Sequence, residues 1–176
     1  MYIERKQEET PATSILHKVA DIPNGVTIKT TGLANGTVIA EATPLYPDAN
    51  GLYAVLGTAK VVEVAAANAV NYSVAKGHTL LVGQKLYKDA STNVDISAIN
   101  TTDPTKDVVT VSATLGAKAI GGLLSQGNVA QSVAITGESH TVQAGRNVFA
   151  SGWVIAVVNK NMSPEPANKP ALVQYV

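Results

Sequence analysis

Short apolar runs separated by glycine fill residues 72–89, and this stretch constrains the fold more than any other part of the sequence. Tyr72–Ala75 alternates between two faces, and Thr79–Val82 forms a second apolar run. Runs of this length, cut by glycine, are typical of strand–turn–strand segments. Gly77 and Gly83 therefore predict tight corners in a small antiparallel β-barrel or sandwich, at places where a side chain would clash.

Composition supports a thin-layered β fold. The chain has 176 residues, which is enough for one domain with a core, and 45% of them are hydrophobic but only 5% aromatic. The apolar mass is therefore mainly Ala, Val, Leu and Ile, which suits sheets with small side chains. The chain has no cysteine, so disulfides and thiolate metal sites are excluded.

The charge balance argues against two classes of partner. Thirteen basic and thirteen acidic residues give a formal net charge of +0. Without a basic excess, neither nucleic acid nor an anionic membrane is expected as the main partner. A chain so close to neutrality also lacks charge protection against self-association, which suits a protein that works in an assembly.

Three Asn-Gly pairs predict hairpin turns, because Asn-Gly readily supplies the two positive φ angles of a type I′ turn. The sequence predicts strands at Val26–Thr30, Thr37–Ala40, Leu52–Val55, Lys60–Ala65, Val108–Thr114 and Val148–Val158. It also predicts a hairpin around Gly137, formed by Val129–Ile135 and Ser139–Val142. The polar segment Asp89–Asp107 is predicted to be a long surface loop.

The chain divides into an arm, a domain and a tail: residues 1–22, 23–160 and 161–176. The arm is charged at its start and carries Ile15, Leu16 and Val19 at helical spacing. Such a terminus is ordered only when a neighbouring subunit or its own domain holds it, and both alternatives stay open. Three prolines exclude the tail from a central strand position.

Neither a signal peptide nor a membrane span is visible. The first ten residues are charged rather than apolar, and the longest apolar runs are too short to cross a bilayer. We therefore expect a soluble protein that is made in a cytoplasm.

Chemically reactive residues are sparse. The histidines, at positions 17, 78 and 140, are too far apart in the sequence for a zinc-binding pair, and no nucleophile or phosphate-binding motif occurs. The aspartates at 89, 95, 103 and 107 could hold calcium, but their spacing matches no EF-hand and a solvated loop is favoured. We predict no catalytic residue, no cofactor and no metal.

Three runs resemble a known family: residues 22–45, the sequence Asn50-Gly-Leu-Tyr, and residues 72–83. They are similar to head fibre and auxiliary capsid (decoration) proteins of tailed bacteriophages, of the crAss-like type, over about residues 22–130. The resemblance implies a β-rich protein without catalytic residues that assembles as a trimer and decorates the outside of the capsid. Since this chain has no heptad run, a compact knob or cement protein fits better than a fibre.

The expected location is therefore the capsid surface of the virion. The expected partners are the major capsid protein, further copies of this chain in a homo-oligomer (a trimer is favoured) and other head fibre proteins. The predicted capsid interface consists of Tyr2, Ile3, Arg5, Lys6, Ile15 and Leu16.

Two other functions compete with this interpretation. The first is a non-catalytic glycan-binding β module displayed on the virion, with polar contacts from loops such as 89–107; the scattered tyrosines weaken it. The second is an accessory hydrolase domain that uses His78, His140 and the loop aspartates, and it ranks last because nothing in the sequence brings these residues together.

Overall fold

The computed structural model describes residues 13–89, 92–127 and 129–176, and nearly all of its regular structure is β-strand. In chain order the strands are β1 (Ile15–Asp21), β2 (Val26–Lys29), β3 (Val38–Ile39), β4 (Pro44–Pro47), β5 (Tyr53–Val55), β6 (Thr58–Lys60), β7 (Asn71–Ala75), β8 (Lys85–Tyr87), β9 (Asn93–Asn100), β10 (Lys106–Val111), β11 (Leu123–Ser125), β12 (Ala134–Thr136), β13 (His140–Thr141), β14 (Val148–Ala150), β15 (Gly152–Val158) and β16 (Val173–Tyr175). A short 3-10 turn spans Ala49–Gly51. The sheets curl, so the predicted fold class, a small β-barrel or sandwich, is confirmed.

The strands group into two units. Residues 13–56 and 129–176, the outer unit, form an eight-stranded sheet in the order β1-β15-β12-β4-β5-β2-β14, with β16 parallel to β15, and a small β3–β13 pair. Residues 57–127, the inserted unit, form a four-stranded sheet in the order β7-β10-β9-β8 and a β6–β11 pair. The inserted unit is thus one continuous segment that interrupts the outer unit.

Each unit has its own core. In the inserted unit a single cluster of buried side chains surrounds Tyr72, Leu86 and Leu124. The outer unit has two smaller clusters, one around Ile28 and the other around Ile135. Apart from Tyr72, the buried members of all three clusters are Ala, Val, Leu and Ile, as the composition predicts.

A reciprocal pair of hydrogen bonds joins the two ends of the inserted unit. The Gly57 N–H donates to the Gln126 side-chain oxygen at 2.9 Å, and the Gln126 N–H donates to the Gly57 carbonyl at 2.7 Å. Gln126 is buried, and a Cβ at Gly57 would come within 2.9 Å of the Gln84 side-chain oxygen. We call this arrangement the Gly57–Gln126 clasp.

The predicted Asn-Gly turns have mixed outcomes. Asn50-Gly51 has positive φ at both residues and joins β4 to β5 in an antiparallel hairpin. Asn24-Gly25 also has two positive φ angles, but β1 and β2 pair with other strands. At Asn35-Gly36 only the glycine has positive φ. Turn chemistry therefore predicts the local conformation better than it predicts which strands pair.

Gly77 and Gly83 turn the chain as predicted, although not for the predicted reason. Their φ angles are +76° and +85°, in the region that favours glycine. A Cβ at either position would nevertheless meet open space. Backbone conformation, rather than a steric clash, is the requirement at both corners.

The predicted strand Thr79–Val82 is wrong. The Leu80 N–H donates to the His78 ring, and the Leu81 N–H donates to the Gln84 side chain. Because side chains satisfy these backbone donors, the segment needs no neighbouring strand. Within this run Leu80 is buried in the core of the inserted unit, whereas Val82 is 60% exposed.

The predicted loop Asp89–Asp107 is also wrong, because β9 occupies Asn93–Asn100 in the middle of it. Val94 and Ile96 face the core, whereas Asp95 and Ser97 face outward. The polar outward face gives the segment a loop-like composition even though its alternation is that of a half-buried strand.

Two further predictions near the C-terminus need correction. β12 and β13 do not form a hairpin, since β12 pairs with β15 and β4 and β13 pairs with β3. Gly137 between them is required for close packing, because a Cβ there would lie 2.4 Å from the Trp153 ring nitrogen. Val148–Val158 is two strands rather than one, because the chain changes partners after Ala150.

Both ends of the described chain pair with strand β15 of the outer unit. The helical spacing around Ile15 is misleading, since residues 15–21 form strand β1 against β15. The tail ends in β16, which is short and pairs with β15 only. Of the two alternatives for holding the arm, the structure shows packing on its own domain for residues 15–21.

Candidate functional site

Among the described residues, Lys76, His78 and the buried Asp107 form a cluster of titratable side chains at the end of β7 and the start of β10. The two strands are antiparallel, with Asp107 opposite Val74. The turn at Gly77 reverses the chain after β7, and this reversal brings His78 beside Asp107. Sequence reasoning expected nothing to bring His78 together with a loop aspartate, and the β7–β10 pairing does so.

Asp107 contacts both basic side chains. Its Oδ1 atom lies 2.6 Å from Lys76 Nζ, and its Oδ2 atom lies 3.4 Å from His78 Nε2. Only 4% of Asp107 is exposed, so its charge needs these partners. Lys76 also donates to the Thr101 carbonyl at 2.9 Å, which ties the β7 turn to the segment between β9 and β10.

The hydrogen bonds of His78 define its protonation. Its Nδ1 atom accepts the Leu80 N–H at 3.2 Å, so the ring proton resides on Nε2. Nε2 is buried and faces Asp107 at a distance that gives an electrostatic contact rather than an aligned hydrogen bond. Burial lowers the pKa of His78, and the Asp107 charge only partly opposes this effect.

This geometry favours a structural role for the cluster. A general base needs a free ring nitrogen within reach of a substrate, and both nitrogens of His78 are directed at protein groups. The cluster instead joins the β7 turn, the segment after β9 and the start of β10. It lies between two clefts at the junction of the units, one of which is lined by Glu41, Lys60 and His78.

The other predicted candidates lie apart from this cluster. His140 is in the outer unit, with Nε2 3.3 Å from a Glu138 carboxylate oxygen. Asp95 pairs with Lys85 at 2.8 Å, and Asp103 accepts hydrogen bonds from Thr105 within its own turn. Within residues 13–89, 92–127 and 129–176, no group of three or more His, Asp or Glu side chains could hold a metal ion.

The predicted capsid interface is only partly described. Tyr2, Ile3, Arg5 and Lys6 lie outside the described residues. Ile15 is buried in the core of the outer unit, whereas Leu16 is 45% exposed. Val19, which the predicted interface did not include, lies on the same strand and is 66% exposed.

β1 is one edge of the eight-stranded sheet. It pairs with β15 on one side, and its register shifts at three points. β14, the strand at the opposite edge, has three residues, whereas β1 has seven. Both edges expose apolar side chains: β1 exposes Leu16 and Val19, and β14 exposes Phe149, which is 67% exposed.

Comparisons with known proteins identify no relative: no family model, no curated protein and no solved structure matches this chain. The described part of the chain contains no helix long and apolar enough to cross a membrane.

Proposed function

We propose that this chain is a structural virion protein that decorates the outer surface of a tailed-phage capsid and is anchored through its N-terminal region. The observation that carries the proposal is the pair of exposed apolar side chains, Leu16 and Val19, on the edge strand β1. The sequence resemblance to head fibre and auxiliary capsid proteins supports it. Copies repeated over a shell would multiply weak individual contacts through avidity.

The form of β1 suits specific attachment. An exposed edge strand is a template for pairing with other chains, and proteins commonly limit this hazard with bulges and charges. The register shifts of β1 interrupt its regular edge, and Lys18 interrupts its apolar side chains. Leu16 and Val19 are therefore proposed to contact the shell mainly through their side chains.

The position of β1 joins the two parts of the proposed anchor. Residues 1–12 lead directly into it along the chain. In this proposal residues 1–12 and the exposed side chains of β1 contact the major capsid protein together.

We assign the chain no catalytic role in this proposal. The orientation of both His78 nitrogens towards protein groups supports this assignment.

Binding to purified shells of the phage that encodes the chain tests the anchor. We expect deletion of residues 1–12 to abolish binding, and we expect the double variant L16S/V19S to weaken it by about tenfold or more, since burying two apolar side chains contributes more than ~1.4 kcal/mol. The control is V64S, which changes a valine of the inserted unit that is 74% exposed. Unchanged binding of both test variants, with circular dichroism showing folded protein, would refute the anchor.

The mass in solution tests the assembly. We propose a trimer on the basis of the resemblance, and light scattering at several concentrations should then give three times the chain mass of 18.2 kDa. A monomer at every concentration would contradict a trimer that exists before attachment to the shell.

A further inference from the structure

A pocket of about 420 Å³ lies where the inserted unit faces the Pro-rich segment near residue 166. Its walls come from β8, β11 and the tail, and its lining residues are Tyr87, Lys88, Lys118, Leu123, Ser125, Glu165, Pro166, Ala167 and Lys169. It adjoins the cleft beside His78, with which it shares Leu123 and Pro166. The volume is within the range of small-molecule sites, roughly 300–1,000 Å³.

The lining carries an excess of positive charge in a chain whose net charge is zero. Lys169 is paired with Glu165 at 2.6 Å. Lys88 and Lys118 have no ion-pair partner among the residues that the structure describes. Lys118 is half-buried, and its backbone is fixed by two hydrogen bonds to Ala65, at 2.9 and 3.0 Å. Two lysine ammonium groups that line one pocket and lack a counter-charge favour an anion beside them.

A second, independent observation is the hydroxyl of Ser125. Ser125 lies in the pocket wall and is 6% exposed, and its Oγ atom has no hydrogen-bond partner in the described chain. Buried hydroxyls are nearly always hydrogen-bonded. A ligand hydroxyl or carboxylate oxygen in the pocket could supply the missing partner.

We infer that this pocket binds an acidic sugar residue. In this arrangement Lys88 and Lys118 hold the carboxylate, Ser125 hydrogen-bonds to a ring substituent, and the Tyr87 and Pro166 rings provide apolar surface for the sugar ring. The pocket is much larger than a single oxyanion requires, and the Tyr87 ring in its otherwise largely polar lining favours a saccharide over free phosphate. Sugar binding would be a function additional to capsid attachment, and it does not depend on the proposed anchor.

Calorimetric titration of the full chain with galacturonic acid, galactose and inorganic phosphate tests the inference. Galacturonic acid should bind in the millimolar range, at least about tenfold more tightly than galactose, because removing the carboxylate removes the charge-assisted contacts. Phosphate should bind more weakly than galacturonic acid. K88Q and K118Q should each weaken binding of galacturonic acid several-fold, and S125A should weaken it less.

The matched control is K160Q, which changes an exposed lysine outside the pocket and should leave the affinity unchanged. Equal affinity for galactose, equal or tighter binding of phosphate, or unaltered binding by K88Q would each overturn the inference. K88Q changes an exposed side chain, so its result is interpretable even if K118Q fails to fold. Attachment of K88Q to shells should be normal, which separates a failure of this inference from a failure of the anchor.

Discussion

The two units of this protein are built differently from the same kind of sequence. The inserted unit is one continuous segment around a single core, whose Tyr72 hydroxyl accepts the Leu115 N–H at 2.8 Å and donates to the Ala69 carbonyl at 2.9 Å. The outer unit combines both ends of the described chain in one large sheet and has two smaller cores. The two units differ in whether they are built from one continuous segment or from two, and not in their composition.

The difference shows where the units are weakly joined. The ion pairs identified between described side chains each lie within one unit. Across the junction, Leu81 packs so closely on Gly32 that a Cβ there would lie 2.8 Å from the Leu81 side chain. Clefts also lie at the junction, including the pocket proposed for an acidic sugar. We therefore expect each unit to gain little stability from the other.

Alanine substitutions in the two cores should each destabilise one unit more than the other. Leu124→Ala in the inserted unit and Ile135→Ala in the outer unit should each cost about 2–5 kcal/mol, because each removes a fully buried side chain. Hydrogen exchange should show lost protection mainly in the unit that carries the change. Equal loss of protection in both units for both variants would mean that the molecule unfolds as a single cooperative unit.

Breaking the Gly57–Gln126 clasp should lower the stability by less than the core substitutions do. Gln126→Ala leaves the buried Gly57 N–H without its acceptor and should cost about 1–3 kcal/mol in free energy of unfolding. Gln143→Ala, on an exposed loop of the outer unit, should change the stability by no more than about 0.5 kcal/mol. Urea denaturation measures both. If the two variants are equally stable, the clasp does not hold the ends of the inserted unit together.

Lowering the pH should cause the smallest loss of stability of the three tests, and that loss should arise in the inserted unit. The folded-state pKa of His78 is lowered from 6.5, so below that pH the unfolded chain takes up the proton first. The stability contributed by neutral His78 is therefore complete above pH 6.5 and is lost as the pH falls towards its folded-state pKa. His78→Gln should remove this part of the pH dependence, whereas His17→Gln, on exposed β1, should retain it. Identical pH profiles for wild type and His78→Gln would contradict this assignment.

The sequence predicts several local features of the fold correctly. Alternation identifies β7 and most of β10, and glycine and Asn-Gly pairs identify positive-φ corners at Gly77, Gly83 and Asn50-Gly51. These features depend on residues that are neighbours in the chain, so their physical causes are visible in a short window.

The pairing of distant strands was not predictable in the same way. Nothing near β12 indicates that it pairs with β15 and β4, because that choice depends on burial across the whole sheet. For the same reason the sequence conceals the division into two units. The contact between His78 and Asp107 depends on the β7–β10 register, so it could be found only by pairing those two strands first.

Because of the clasp, the chain leaves the outer unit and returns to it at nearly the same point. Insertions and replacements are tolerated best where the two ends of a segment lie close together, since the surrounding structure need not rearrange. Residues 57–127 could therefore be exchanged for an unrelated domain while the outer sheet keeps its strand pairings. In this architecture the sequence of the inserted unit can change without a matching change in the outer unit.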